Sequence, residues 1–172
     1  MGLAYPAYRV LSTGLFFAAW PGFWLYSRLS GRHRQGLGQR LGDYGPASAP
    51  RADAGPRIWL HAASVGEVNA AAAIAEALWR RRPETGLVVS STTAHGLEAA
   101  RARLGRRADC LLAPVDWHGS VRRALDWVRP QVLACVETEI WPTLLMTAQR
   151  RNIPTALRSE EHTSELQSRQ SI

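Results

Sequence analysis

Two short stretches hold side chains whose types and spacing could do chemistry. The first is His61-Ala62-Ala63-Ser64-Val65-Gly66-Glu67. Gly66 permits a tight turn or the close approach of a ligand. Free backbone N–H groups at a helix start could hold an anion there. The Glu67 carboxylate could accept a proton or could cap the helix it opens, and the residues alone leave both roles open. The spacing of a phosphate-binding P-loop is absent, and so is the glycine fingerprint of a dinucleotide site. The second stretch is Glu137-Thr138-Glu139-Ile140-Trp141-Pro142. Two carboxylates one residue apart, behind an apolar run, suit proton transfer, because mutual repulsion and burial raise a carboxyl pKa toward the working range. The plainer alternative has one Glu capping the next helix and the other facing solvent.

Both stretches must be positioned by the elements around them. Ile58–Ala62, Leu87–Ser91, Cys110–Ala113 and Val132–Val136 read as short buried strands, and Ile153–Leu157 as the start of a fifth. Between them, Val68–Arg81, Gly96–Leu104, His118–Val128 and Pro142–Arg151 carry helical spacing. Pro130 marks one helix end, and Pro142 suits a first helical turn. Strands alternating with helices predict an α/β fold, a parallel sheet with right-handed crossovers and helices on both faces. Ligands of such sheets bind beyond the carboxyl ends of the strands. That rule selects the turns after Ala62 and Val136, where the two carboxylate stretches lie.

The rest of the chain is less regular. Residues 10–27 carry no charge and include Trp20, Phe23, Trp24 and Tyr26, with Pro21-Gly22 interrupting them. This run is slightly short for a bilayer span. Its aromatic residues and the following Arg28, Arg32, Arg34 and Arg40 predict an anchor helix over 1–30 beside anionic headgroups. Residues 31–56 read as a basic segment and linker. The net charge is +7, and all 21 basic residues are Arg. That balance favours anionic partners. The arginines are dispersed and no recognition motif accompanies them, so no nucleic-acid partner is expected. Cys110 and Cys135 read as buried free thiols, and no Cys/His cluster has metal-ligand spacing. His61 is expected at a strand end with its ring satisfied. His95 and His118 read as surface or loop residues, and Trp79, Trp117 and Trp127 as packing residues.

HAASVGE at 61–67, STTAHG at 91–96, APVD at 113–116 and ETEIWP at 137–142, with GQRLGDYG upstream at 38–45, resemble the 3-deoxy-D-manno-octulosonic acid (Kdo) transferases of lipopolysaccharide synthesis. The resemblance runs in unbroken order over roughly residues 5–157. It implies a GT-B glycosyltransferase fold, in which two Rossmann-like domains face each other across a cleft, with residues 57–157 forming the N-terminal, acceptor-side domain. It also implies inverting transfer of Kdo from CMP-Kdo to the lipid A precursor, with no cofactor and no metal in the catalytic step. Glu67 is then the general base and Glu137 a stabiliser of the transition state. Ser64, Gly66, Thr93, Gly96 and Glu139 would line the acceptor side. The expected location is the cytoplasmic face of a bacterial inner membrane containing anionic lipid.

Residues 158–172 break the style of the chain and resemble a translated sequencing adapter, so they are left out of the expected fold. A chain ending near Leu157 would lack the donor-binding domain and be inactive alone. The competing reading is a non-catalytic, membrane-tethered α/β module that binds an anion at the Ser64–Glu67 loop.

Overall fold

The computed structural model describes residues 36–45, 55–136 and 141–158, together with positions 8, 10, 13, 14, 18, 21 and 22. Strands β1 (Arg57–Ala62), β2 (Gly86–Ser91), β3 (Ala108–Leu112), β4 (Val132–Val136) and β5 (Thr155–Arg158) form one parallel sheet in the order β3-β2-β1-β4-β5. A short helix α1 (Leu37–Arg40) precedes it. The crossovers carry helices α2 (Val65–Arg81), α3 (Ala94–Leu104), α4 (His118–Val128) and α5 (Pro142–Arg150). The predicted α/β sheet is therefore present, and it is Rossmann-like.

Side chains alternate along each strand, so each sheet face builds its own core. Leu60, Ala62, Leu87, Val89 and Val136 face α2 and α3, where Val68, Ala71, Ala75, Ala100 and Leu104 meet them. Trp59, Val88, Leu111 and Leu133 face α4 and α5, against Val121, Leu125, Val128, Leu144 and Ala148. Burial on both faces explains why these strands read as continuous apolar runs.

Helix starts fall earlier than the periodicity suggests. Helix α2 begins at Val65, not Val68, because Ser64 caps it and draws Val65 and Gly66 into the first turn. Helix α3 begins at Ala94 because Thr93 caps it in the same way. Arg158, expected as the first residue of the tail, instead ends β5 opposite Val136. Residues 159–172 lie outside the described residues.

The segment expected as linker is docked over residues 36–45. Strand β3 is a sheet edge, so Leu112 has backbone groups without a ladder partner. Leu112 N donates to Gln39 Oε1 at 2.9 Å, and Tyr44 Oη donates to Leu112 O at 3.1 Å. Gly42 adopts φ +82°, and a Cβ there would meet Ser120 O at 2.5 Å. Among the described residues no helix is long and apolar enough to cross a membrane. The anchor expected over 1–30 falls mostly outside those residues.

Asp116 joins the β3 side of the sheet to α5. Its Oδ2 accepts from Thr143 N and its Oδ1 from Leu144 N, both at 2.9 Å. The Thr143 hydroxyl donates to Asp116 O, also at 2.9 Å, and Tyr8 Oη donates to Oδ2 at 3.0 Å. A carboxylate on two first-turn amides is an N-terminal cap supplied from a distance of 27 residues in sequence. Asp116→Ala should lower the unfolding free energy by about 1–2 kcal/mol, measured by urea denaturation. An unchanged midpoint would show that α5 does not need this cap.

Candidate active site

The switch in strand order falls between β1 and β4, since β2 and β3 lie to one side and β5 to the other. Ala62 and Val136 are paired there, so the two strand ends that lead to the carboxylate stretches lie side by side at the carboxyl edge, where such sheets bind ligands. The side chains after Ala62 are held by a variant of the capping box, in which the Glu67 carboxylate reaches the N–H one residue before the N-cap Ser64. Ser64 Oγ accepts from Glu67 N at 3.3 Å and donates to Glu67 Oε1 at 2.9 Å. Glu67 Oε2 accepts from Ala63 N at 2.6 Å. Glu67 is 7% exposed, and each carboxylate oxygen keeps a lone pair beyond the bond it makes. The two roles left open for Glu67 are thus compatible: it caps α2, and the cap fixes its direction.

The loop after β2 is tied to this turn. Ser91 Oγ donates to Ala63 O at 3.1 Å, and Thr92 Oγ1 donates to the same carbonyl at 2.5 Å. Arg40 Nη2 donates to Thr92 O at 2.7 Å, which adds the docked segment to the cluster. Burial lowers the Arg40 pKa. Thr93 Oγ1 accepts from Gly96 N at 3.0 Å. A Cβ on Gly96 would collide with Ser91 Oγ, so this glycine serves packing. Gly66 differs: a Cβ there would meet only Ser64 Oγ, at 3.8 Å. Ser64 and Gly66 are exposed beside the buried carboxylate. Ser64, Gly66 and Glu67 therefore share one turn, and Thr93 and Gly96 open the neighbouring helix. Glu137 and Glu139 lie outside the described residues. Among the described residues, no three His, Cys, Asp or Glu side chains come together as a metal ion would require.

Other residues stand as expected or need correction. Trp79 packs in the core and donates from Nε1 to Thr85 O at 3.0 Å. Cys110 and Cys135 are free, and burial pushes each thiol up to about 11. His95 is a surface residue 3.5 Å from Glu98. His61 is not satisfied as expected. Its Nδ1 lies 2.9 Å from Ser90 Oγ, but its buried Nε2 has no hydrogen-bond partner among the described residues. Reading from sequence also left Asp116 and Trp141 without a role. APVD flagged Asp116 only as part of a motif, since its helix partner is remote in sequence.

Burial drives the His61 pKa from its ordinary 6.5 down to about 4. As pH falls below 6.5 the unfolded chain takes up a proton that the folded chain refuses. Stability is therefore full above that pH and declines toward pH 4, by about 3 kcal/mol at most. His61→Gln removes this titration. Urea unfolding of both chains at pH 7 and pH 4 should show the gap moving in the variant's favour by up to that amount. A gap that stays constant would place His61 in a wetter setting than the fold indicates.

Comparison with known proteins completes the site. The family described as 3-deoxy-D-manno-octulosonic-acid transferase (kdotransferase) matches residues 35–160, which span the docked segment and the whole sheet. A 3-deoxy-D-manno-octulosonic acid transferase of Haemophilus influenzae is 37% identical over 130 residues, covering 76% of this chain and 30% of that protein. One from Bordetella pertussis is 33% identical over 154 residues, covering 87% of this chain and 36% of that protein. A probable mitochondrial one from Arabidopsis thaliana is 30% identical over 114 residues, covering 66% of this chain and 25% of that protein. The chain thus spans about a third of the length of these relatives. With a Rossmann-like sheet, and the SVGE turn held at its strand-order switch, the chain belongs to the 3-deoxy-D-manno-octulosonic-acid transferase family.

Proposed function

We propose that this chain supplies the acceptor-side domain of an inverting glycosyltransferase that moves Kdo from CMP-Kdo onto a sugar hydroxyl of the lipid A precursor. The observation that carries this reading is the Glu67 carboxylate, oriented by Ser64 and Ala63 N and lying beside the open Gly66 at the β1–β4 crevice. In this scheme the acceptor hydroxyl gives its proton to a free lone pair of Glu67 while its oxygen bonds to the anomeric carbon of Kdo. The bond from that carbon to the phosphate oxygen breaks, and cytidine monophosphate leaves with the electron pair. A fixed base needs no reorganisation as the proton moves, which is how positioned carboxylates contribute to such steps. Glu137 is assigned to stabilise the transition state and Glu139 to bind substrate, on the family resemblance alone. The donor would be held by the second domain that the family resemblance implies.

The proposed setting is the cytoplasmic face of the inner membrane. It rests on the uncharged aromatic run over residues 10–27 and the arginines after it. Such an anchor would bring the carboxyl edge to a lipid-borne acceptor.

The decisive variant is Glu67→Gln, because Gln also serves a capping box. It should be made in residues 1–157 joined to the remainder of the Haemophilus relative. Turnover of CMP-Kdo should fall by about 10²- to 10⁴-fold, with the urea midpoint nearly unchanged. Near-normal turnover would remove Glu67 from the base role. The membrane assignment is checked separately by sedimentation with vesicles containing anionic lipid. The chain should pellet with them, and deletion of residues 1–30 should release it. A deleted chain that still pellets would move the anchor elsewhere.

A further inference from the structure

Two buried polar atoms without hydrogen-bond partners among the described residues, His61 Nε2 and Trp141 Nε1, belong to neighbouring rings that the scheme above leaves unused. His61 is the penultimate residue of β1 and is 2% exposed. It sits at the crevice in register with Ser90 on one side and Cys135 on the other. Its protonation can be read from its neighbours. The Trp59 indole can only donate, and its Nε1 lies 2.8 Å from Ser90 Oγ. Ser90 is fully buried, so the one proton on its hydroxyl needs an acceptor. The only acceptor in reach among the described residues is His61 Nδ1, at 2.9 Å. A neutral imidazole that accepts at Nδ1 carries its proton on Nε2.

Among the described residues, that Nε2–H has no oxygen or nitrogen to meet. What lies beside the ring is Trp141, with ring centroids 5.0 Å apart and planes at 81°. Trp141 Nε1 is itself buried with no hydrogen-bond partner among the described residues, and the near-perpendicular planes leave room for the imidazole N–H to be directed at the indole face. Trp141 is the N-cap residue of α5, makes no side-chain cap bond, and precedes Pro142 at the first helical position. Its backbone O accepts from Leu145 N at 2.9 Å.

We propose that His61 is a positioning residue: its neutral imidazole, with the proton on Nε2, holds the Trp141 indole and so fixes the entry to α5 at Trp141-Pro142. The Trp59–Ser90–His61 chain sets the tautomer, and the tautomer sets the indole. Its bearing on catalysis rests on the transferase reading, in which ETEIWP carries a functional carboxylate. The contact itself does not.

The test uses the ¹⁵N-labelled 172-residue chain at neutral pH. Imidazole ¹⁵N–¹H correlations should show Nδ1 as an unprotonated acceptor and Nε2 as protonated. The Hε2 signal should be shifted upfield by the indole ring and should lose that shift in Trp141→Leu. His61→Phe keeps a ring but no N–H, and should speed hydrogen exchange at the Leu145 amide about tenfold. His61→Gln, which restores a donor near Nε2, should recover most of that protection. A proton on Nδ1, an unshifted Hε2, or unchanged Leu145 exchange in His61→Phe would each overturn the proposal. Should His61→Phe fail to fold, the tautomer and ring shift of the native chain still decide it. None of these readouts depends on Kdo transfer, so they can fail while Glu67 remains the base, or hold if it does not.

Discussion

Backbone groups at the carboxyl edge of the sheet must be satisfied by something other than the sheet. Beyond the last ladder bond, each strand leaves N–H and C=O groups in a partly buried place, where an unmet group costs about 1–3 kcal/mol. Here side chains from both neighbouring and remote segments meet them. Glu67 takes Ala63 N, and Ser91 and Thr92 give to Ala63 O. Gln39 and Tyr44 serve Leu112, Arg40 serves Thr92 O, and Asp116 serves the amides opening α5. The residues that resemble a transferase motif are largely the ones doing this backbone work.

That overlap bears on how the site can act. A side chain chosen only for catalysis would need separate support to stay in place. Glu67 is instead held by bonds within the turn that opens its own helix, a turn in which Ser64 and Gly66 are exposed. Gly96 and Gly66 illustrate the division. One is a glycine because Ser91 leaves no room for a side chain, whereas no packing contact demands the other. Space beside a fixed carboxylate is what an incoming hydroxyl requires.

The opposite sheet face is built differently. Most of it is apolar, from Val88 and Leu133 to Val121 and Leu144. The polar chain of Trp59, Ser90 and His61 crosses that region and ends at Trp141. A buried polar chain of this kind defines one arrangement of its members, since other rotamers would leave more donors unmet. It lies on the α5 side of β1, whereas the Glu67 cap lies on the α2 side.

Much of the fold was legible in the chain itself. Apolar runs such as VLACV and LVVSS marked the buried parallel strands, and the 3.6-residue spacing of Ala71, Ala75 and Trp79 marked α2, because burial on one or both faces imposes those periods. The turns after Ala62 and Val136 followed from alternation alone. Short-range signals also sufficed for Ser64 and Glu67, since a capping box acts over three residues. Only the tertiary structure decided which strands are neighbours, that Asp116 caps a helix 27 residues away, that residues 36–45 close the β3 edge, and that His61 lies beneath Trp141. Those contacts arise where hydrogen-bonding groups left over by different elements meet in space, and local spacing carries no record of such meetings.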